Sequence, residues 1–184
     1  MKTRTYQQQA RAEAAEARTE AILQAAMELF AERPFDQITL AAVADRAGVG
    51  LQTLIRRVGT KEGLVRAVTG ANERRIEGTL GDPGPDPDAV AAALMAFHEQ
   101  WGGLTDRMLR QEDSSPALAE AAAAGRANHR AFVERNFPGL SPERTALLAG
   151  VCGVELWLVL RRDLTAEQTR DAVAHLIKST LGET

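Results

Sequence analysis

The chain has 184 residues, 45% of them hydrophobic and 26% charged, values near the globular average that exclude wholesale disorder and suit one domain or a small domain joined to a modest second one. Its Gly and Pro residues cluster instead of recurring at a fixed period, which excludes a collagen-like chain, and the single cysteine, Cys152, excludes a disulfide framework or a multi-Cys zinc site and fits a reducing cytoplasm. The net charge of −3 is uneven: residues 1–80 carry 12 Lys/Arg against 10 Asp/Glu and residues 81–184 carry 10 against 15, so a basic face in the first half remains open to phosphate, because exposed charges are screened beyond about 8 Å.

Taken in chain order, no segment alternates apolar and polar residues as a strand would, and the expected fold class is all-α with about nine helices. Residues 7–33 contain no breaker. Residues 7–18 offer only Ala as apolar material, whereas Ile22, Ala26, Leu29 and Phe30 form a helical stripe, so an arm over residues 1–18 is expected to precede a core helix. Lys2, Arg4, Arg11 and Arg18 give this arm either an electrostatic or minor-groove contact to DNA or the role of a solvated tail. No apolar stretch follows the first basic residues, so no secretory leader is expected.

Pro34 ends the helix, Thr39 is placed to cap a short one with Leu40, Val43 and Ala44 inward, and Gly48 suits a left-handed turn. A second short helix, about 51–58, closes at Gly59, and Thr60 caps a longer one to about residue 80. The stretch 81–88, rich in Pro, Gly and Asp, separates two helical blocks. Asp86 and Pro87 then start a helix expected to end at Gly102-Gly103, followed by a short one near 106–111. Ser115-Pro116 opens a helix to about residue 136, Ser141-Pro142 one to about residue 162, and Thr165 with Gln168 forms a capping box for the last. The longest apolar run, 146–160, is interrupted by Glu155 and falls short of the ~20 residues that span a bilayer, so no membrane partner is expected.

Two short helices joined by a tight turn are the geometry that presents a helix to the DNA major groove. Val43, Val49 and Leu54 form the shared core, which leaves Gln52, Thr53, Arg56 and Arg57 outward, a base-reading amide, a hydroxyl and two guanidiniums. Lys61 adds a cation in the first turn of the next helix.

Residues 19–66 resemble the N-terminal domain of tetracycline-repressor (TetR/AcrR) type regulators. The resemblance rests on Ile22-Leu-x-Ala-Ala-x-x-Leu-Phe30, the Ala47-Gly-Val49 turn and Lys61-Glu-x-Leu64, in the right order and spacing. It implies a helix-turn-helix domain over 19–66 and a ligand-binding and dimerisation domain over 67–184. It further implies a homodimeric repressor that reads a pseudo-palindromic double-stranded operator and leaves it when a small apolar ligand binds. Where the family often has Ser or Thr capping the recognition helix this chain has Gly50, and where it commonly has Tyr and Phe near that helix's end this chain has Ile55 and Val58. The expected DNA contacts are therefore Thr39, Gly50, Leu51, Gln52, Thr53, Arg56, Arg57 and Lys61.

In the second half, Met95, Trp101, Met108, Leu109 and Phe132 either line a cavity or form plain core, with His98, His129 and Glu155 as polar groups that could orient a ligand. Ala149, Gly150 and Gly153 with Val173, Leu176 and Ile177 form either a two-fold interface or an intrachain core. His98, His129 and His175 lack metal-ligand spacing, Cys152 sits among apolar residues, and there is no phosphate loop or Gly-x-Ser-x-Gly elbow. No enzyme activity, metal or cofactor is expected. The competing reading is a helical dimeric ligand-binding or interaction protein, or an activator, that has lost repressor-type DNA binding.

Overall fold

A computed structural model describes residues 2–182 of the chain, and among them every regular element is helical. Helix α1 spans Lys2–Glu32, α2 Leu40–Arg46, α3 Leu51–Val58, α4 Lys61–Leu80, α5 Pro87–Arg110, α6 Pro116–Asn136, α7 Pro142–Val151, α8 Val154–Leu160 and α9 Ala166–Leu181. Short 3-10 turns at Phe35–Gln37 and Glu112–Ser114 follow α1 and α5. None of these helices is long and apolar enough to cross a membrane.

Local chemistry sets most of the boundaries. The hydroxyls of Thr39, Thr60, Ser115 and Ser141 each accept from the backbone N–H three residues on, and the Asp86 carboxylate accepts from Asp88 N–H. Thr165 and Gln168 satisfy each other's backbone N–H groups reciprocally. Each such cap supplies an acceptor to one of the donors a helix start leaves orphaned, worth about 1 kcal/mol.

Three boundaries depart from the sequence expectation. Residues 2–18 continue α1 without a break, since Ala, Glu, Gln and Arg are strong helix formers; the side chains of Lys2, Arg4 and Arg11 lie outside the described residues. Helix α5 runs through Gly102-Gly103 to Arg110, because Gly102 is buried against the Trp157 ring and packing outweighs the helix penalty of about 1 kcal/mol per glycine. The helix expected over 142–162 is instead two, α7 and α8, broken at Cys152-Gly153.

Two cores result. Ile22, Leu29, Val43, Ala44, Leu54 and Leu64 join α1–α3 to the start of α4. Val90, Leu94, Phe132, Val133, Leu148 and Ile177 join α5, α6, α7 and α9. Helix α4 connects them, packing on α1, α3, α5 and α6.

Candidate functional site

Helices α2 and α3 are joined by Ala47–Gly50. Ala47 remains right-handed, Gly48 takes φ +64, and Val49 N–H returns to Ala44 O at 3.0 Å. The positive φ at Gly48 is open to glycine at no steric cost, which is what lets the chain reverse here. Val43, Ala44 and Leu54 are buried at the crossing, and Val49 packs on them half-buried. Arg46 in turn clamps α2 to α1, meeting both Glu32 oxygens at 2.9 and 3.0 Å and Glu28 at 3.3 Å. Its guanidinium hydrogen bond holds the Glu32 carboxyl below the usual carboxylate range.

With Leu54 inward, α3 turns Leu51, Gln52, Arg56 and Arg57 to solvent and leaves Thr53 half-buried. The two arginines differ. Arg56 has no hydrogen bond or ion pair among the described residues, whereas Arg57 donates to Thr19 Oγ1 on α1. Gly50 caps α3 with backbone alone, and the Thr39 hydroxyl at the start of α2 is exposed while it serves as cap. Lys61 is not a free surface cation. It is half-buried, its ammonium sits 4.0 Å above the centroid of the buried Phe35 ring, and burial pulls its pKa below that of an ordinary lysine against the opposing pull of Asp36 and Glu62.

Between α1, α4, α5 and α6 lies a cavity of about 150 Å³ with predominantly apolar walls. Met27, Phe30, Val68, Ile76, Trp101 and Met108 are among its lining, and Phe35, Ile38 and Lys61 bring the helix-turn-helix unit into its wall. Buried Asn72 adds an amide whose N–H donates to the Met27 thioether sulfur at 3.1 Å, a weak acceptor.

Of the residues expected to line a pocket, Trp101 and Met108 are at this cavity; Met95, His98, Leu109, His129, Phe132 and Glu155 are not. Phe132 belongs to the C-terminal core, Met95 is buried, Leu109 half-buried and Glu155 exposed. The two histidines serve the break between α7 and α8: His98 Nε2 bonds Cys152 O at 3.1 Å and His129 Nε2 bonds Ala149 O at 2.9 Å. A carbonyl only accepts, so Nε2 carries the proton in both rings. His98 Nδ1 is then the bare nitrogen, buried without a partner among the described residues. Burial pushes the His98 pKa down to about 4 and the Cys152 thiol up to about 12, which leaves one uncharged and the other an inert thiol at neutral pH. The α1 and α4 wall residues escaped sequence reasoning, although positions 61, 65, 68, 72 and 76 form a legible stripe at i, i+3 and i+4 spacing on α4.

Val173 and Ile177, expected at a dimer interface, are 5% and 0% exposed inside the chain's own core, because α9 packs them against α5. Gly153 is buried at the helix break and Ala149 half-buried, while Gly150 and Leu176 reach the surface. Leu147 at 62% and Val159 at 54% are the most exposed large apolar side chains among the described residues.

Residues 22–68 match the family model described as bacterial regulatory proteins, tetR family. No curated protein matches. Among solved structures, a transcriptional regulator of the TetR/AcrR family from Aquifex aeolicus VF5 is 16% identical with a TM-score of 0.67, over 88% of this chain and 98% of that one. A transcriptional regulator from Streptomyces coelicolor A3(2) is 21% identical with a TM-score of 0.63, over 87% and 98%. The multidrug binding protein EbrR, solved with imidazole, is 24% identical with a TM-score of 0.59, over 87% and 94%. Over residues 22–68 the chain thus matches the tetR family of bacterial regulatory proteins, and as a whole it shares its all-α fold with solved transcriptional regulators.

Proposed function

We propose that the protein is a homodimeric transcriptional repressor that reads a pseudo-palindromic operator with α3 and is released when a small molecule enters the cavity between α1, α4, α5 and α6. The observation that carries this reading is the outward presentation of Gln52 and Arg56 from a helix whose other face is anchored by fully buried Leu54. Gln52 is the side chain suited to an adenine edge, and Arg56 to guanine or phosphate. Two-fold pairing through the exposed apolar residues Leu147 and Leu176, with Gly150 as the point of close approach, would set two copies of α3 about one DNA turn apart, roughly 34–36 Å. The cavity supports a small-molecule effector because its wall includes Phe35 and Lys61 from the reading head itself. That EbrR is a multidrug binding protein of similar fold is in keeping with such a use.

The deciding experiment is titration of DNA from the gene's own upstream region at two salt concentrations, with the wild-type protein and the Arg56→Ala/Arg57→Ala double variant. Selective, salt-sensitive binding that the double variant loses supports the repressor-type reader. Absence of selective binding, in upstream DNA and in a genomic selection, rejects it in favour of a ligand-binding or interaction module. Dimerisation is tested separately by sedimentation of Leu147→Glu/Leu176→Glu, which should be monomeric where the wild type is a dimer.

A further inference from the structure

The cavity is apolar along most of its wall, yet a single Lys or Arg lines it among the described residues, Lys61. Three features set this lysine apart from a surface cation. Its ammonium lies over the Phe35 ring, which is only 6% exposed and lines the same cavity. No carboxylate stands within ion-pair distance of it among the described residues, whereas Arg66 and Arg75, farther along the same helix, are each paired with a glutamate. And it begins α4 directly after Thr60, two residues beyond the end of α3, so the cavity's cation and the reading helix share one short stretch of backbone.

An unpaired ammonium at an apolar wall attracts an anion whose remainder is apolar, because the charge-assisted bond forms while the tail leaves water. The buried polar group farther along α4 is Asn72, eleven residues on and about 16 Å away by helical rise, with a thioether as its donor's partner among the described residues, and the one carboxylate of the wall, Glu73, stands beside it at the exposed end, remote from Lys61. Between them the α4 stripe is Val65, Val68 and Thr69. Such a wall fits an elongated apolar tail better than a compact polar ligand.

Resting on the reading of this cavity as the effector site, we propose that its ligand is an amphipathic monocarboxylate whose carboxylate pairs with Lys61 Nζ and whose apolar tail runs along α4 between Val68 and Trp101. Pairing occupies a cation at the very edge of the DNA-reading head. The ligand's charge is thereby held at the start of α4, where that helix follows α3.

The test uses three probes with the same tail, decanoate, decanol and decyltrimethylammonium, titrated calorimetrically into the full-length wild type, Lys61→Met and Lys61→Arg, each first checked for native urea unfolding. Decanoate should bind wild type at least about tenfold tighter than decanol, the scale of one charge-assisted bond; the preference should vanish in Lys61→Met and persist in Lys61→Arg. Equal binding of decanol, a preference for the ammonium probe, or a carboxylate preference surviving in Lys61→Met overturns the monocarboxylate assignment while leaving the cavity a ligand site. Binding of none of the three probes to folded wild type rejects the cavity reading itself, and the assignment with it.

Discussion

The backbone N–H of Phe35 donates to the side-chain oxygen of Gln111 across 2.7 Å. This bond joins the 3-10 turn behind α1 to the residue that ends α5, 76 positions away in sequence. Phe35 is also the residue under the Lys61 ammonium and part of the cavity wall. One residue thus receives a tether from the C-terminal half, a cation from α4 and any occupant of the cavity.

Removing the tether tests that link. Gln111→Leu leaves a part-buried N–H without its acceptor, and the expected loss is about 1–2 kcal/mol of unfolding free energy. Gln111→Glu retains an acceptor and should unfold near the wild-type midpoint. Urea titration of the three proteins checks this, and equal midpoints for Leu and wild type would show that water replaces the bond at no cost.

On α3, Arg56→Ala should weaken DNA binding at every sequence and reduce the magnitude of the salt slope by about 0.9 if Arg56 makes one phosphate contact. Gln52→Ala should instead relax specificity at one base pair by about 1–3 kcal/mol with the slope unchanged. Arg57→Ala should cost less than Arg56→Ala, since Arg57 is engaged with Thr19 on α1. Fluorescence anisotropy over a salt series, repeated on operator variants, separates the three.

The adjacent glycines of α5 should respond differently to alanine. A Cβ at Gly102 would meet Trp157 Cζ3 at 2.7 Å and two further ring atoms at 3.2 Å, whereas one at Gly103 meets nothing within 4 Å. Overpacking of about 1–3 kcal/mol outweighs or cancels the gain of about 1 kcal/mol in helix propensity, so Gly102→Ala is expected to be neutral to destabilising. Gly103→Ala takes the gain alone and should raise the unfolding free energy by about 0.5–1 kcal/mol. Thermal unfolding of both variants decides, and a stabilised Gly102→Ala would mean that the indole moves aside freely.

His98 should give the fold an acid-sensitive component. Its folded pKa is depressed to about 4, first by burial, with the nearby His129 charge adding to it and the bond to Cys152 O and the Glu155 charge opposing it; unfolded, it returns to 6.5. The unfolded chain therefore binds the extra proton in that window. Its contribution is fully present above pH 6.5, is lost progressively as pH falls toward 4, and amounts to at most about 3 kcal/mol. His98→Gln, which keeps a donor for the Cys152 carbonyl, should flatten that part of the stability curve between pH 6.5 and 4; an unchanged slope would place the acid sensitivity elsewhere.

The helix-turn-helix was readable because everything that forms it is local. A cap acts over three residues, the Gly48 turn over four, and the burial of Val43 and Leu54 follows from a period of 3.6. For the same reason the starts of α4, α5, α6, α7 and α9 were legible at Thr60, Asp86, Ser115, Ser141 and Thr165. Residues 2–18 join α1 because intrinsic propensity suffices to continue a helix, a local property that an apolar stripe does not report.

What the tertiary structure alone decided depends on partners remote in sequence. Gly102 remains helical because Trp157, 55 residues on, fills its side. The chain breaks at Cys152-Gly153 without a proline, and the Ala149 and Cys152 carbonyls at the break are taken by His129 and His98, residues whose chemistry suggests ligand binding when read in isolation. Val173 and Ile177 have the pattern of an exposed apolar face, and only the approach of α5 turns them into core. The cavity likewise belongs to no single segment: α1 and α4 furnish much of its wall, and it comes to include Phe35 and Lys61 because long-range packing sets α4 between the two halves. Periodicity determines which side of a helix is apolar, while the identity of what covers that side is a property of the assembled chain.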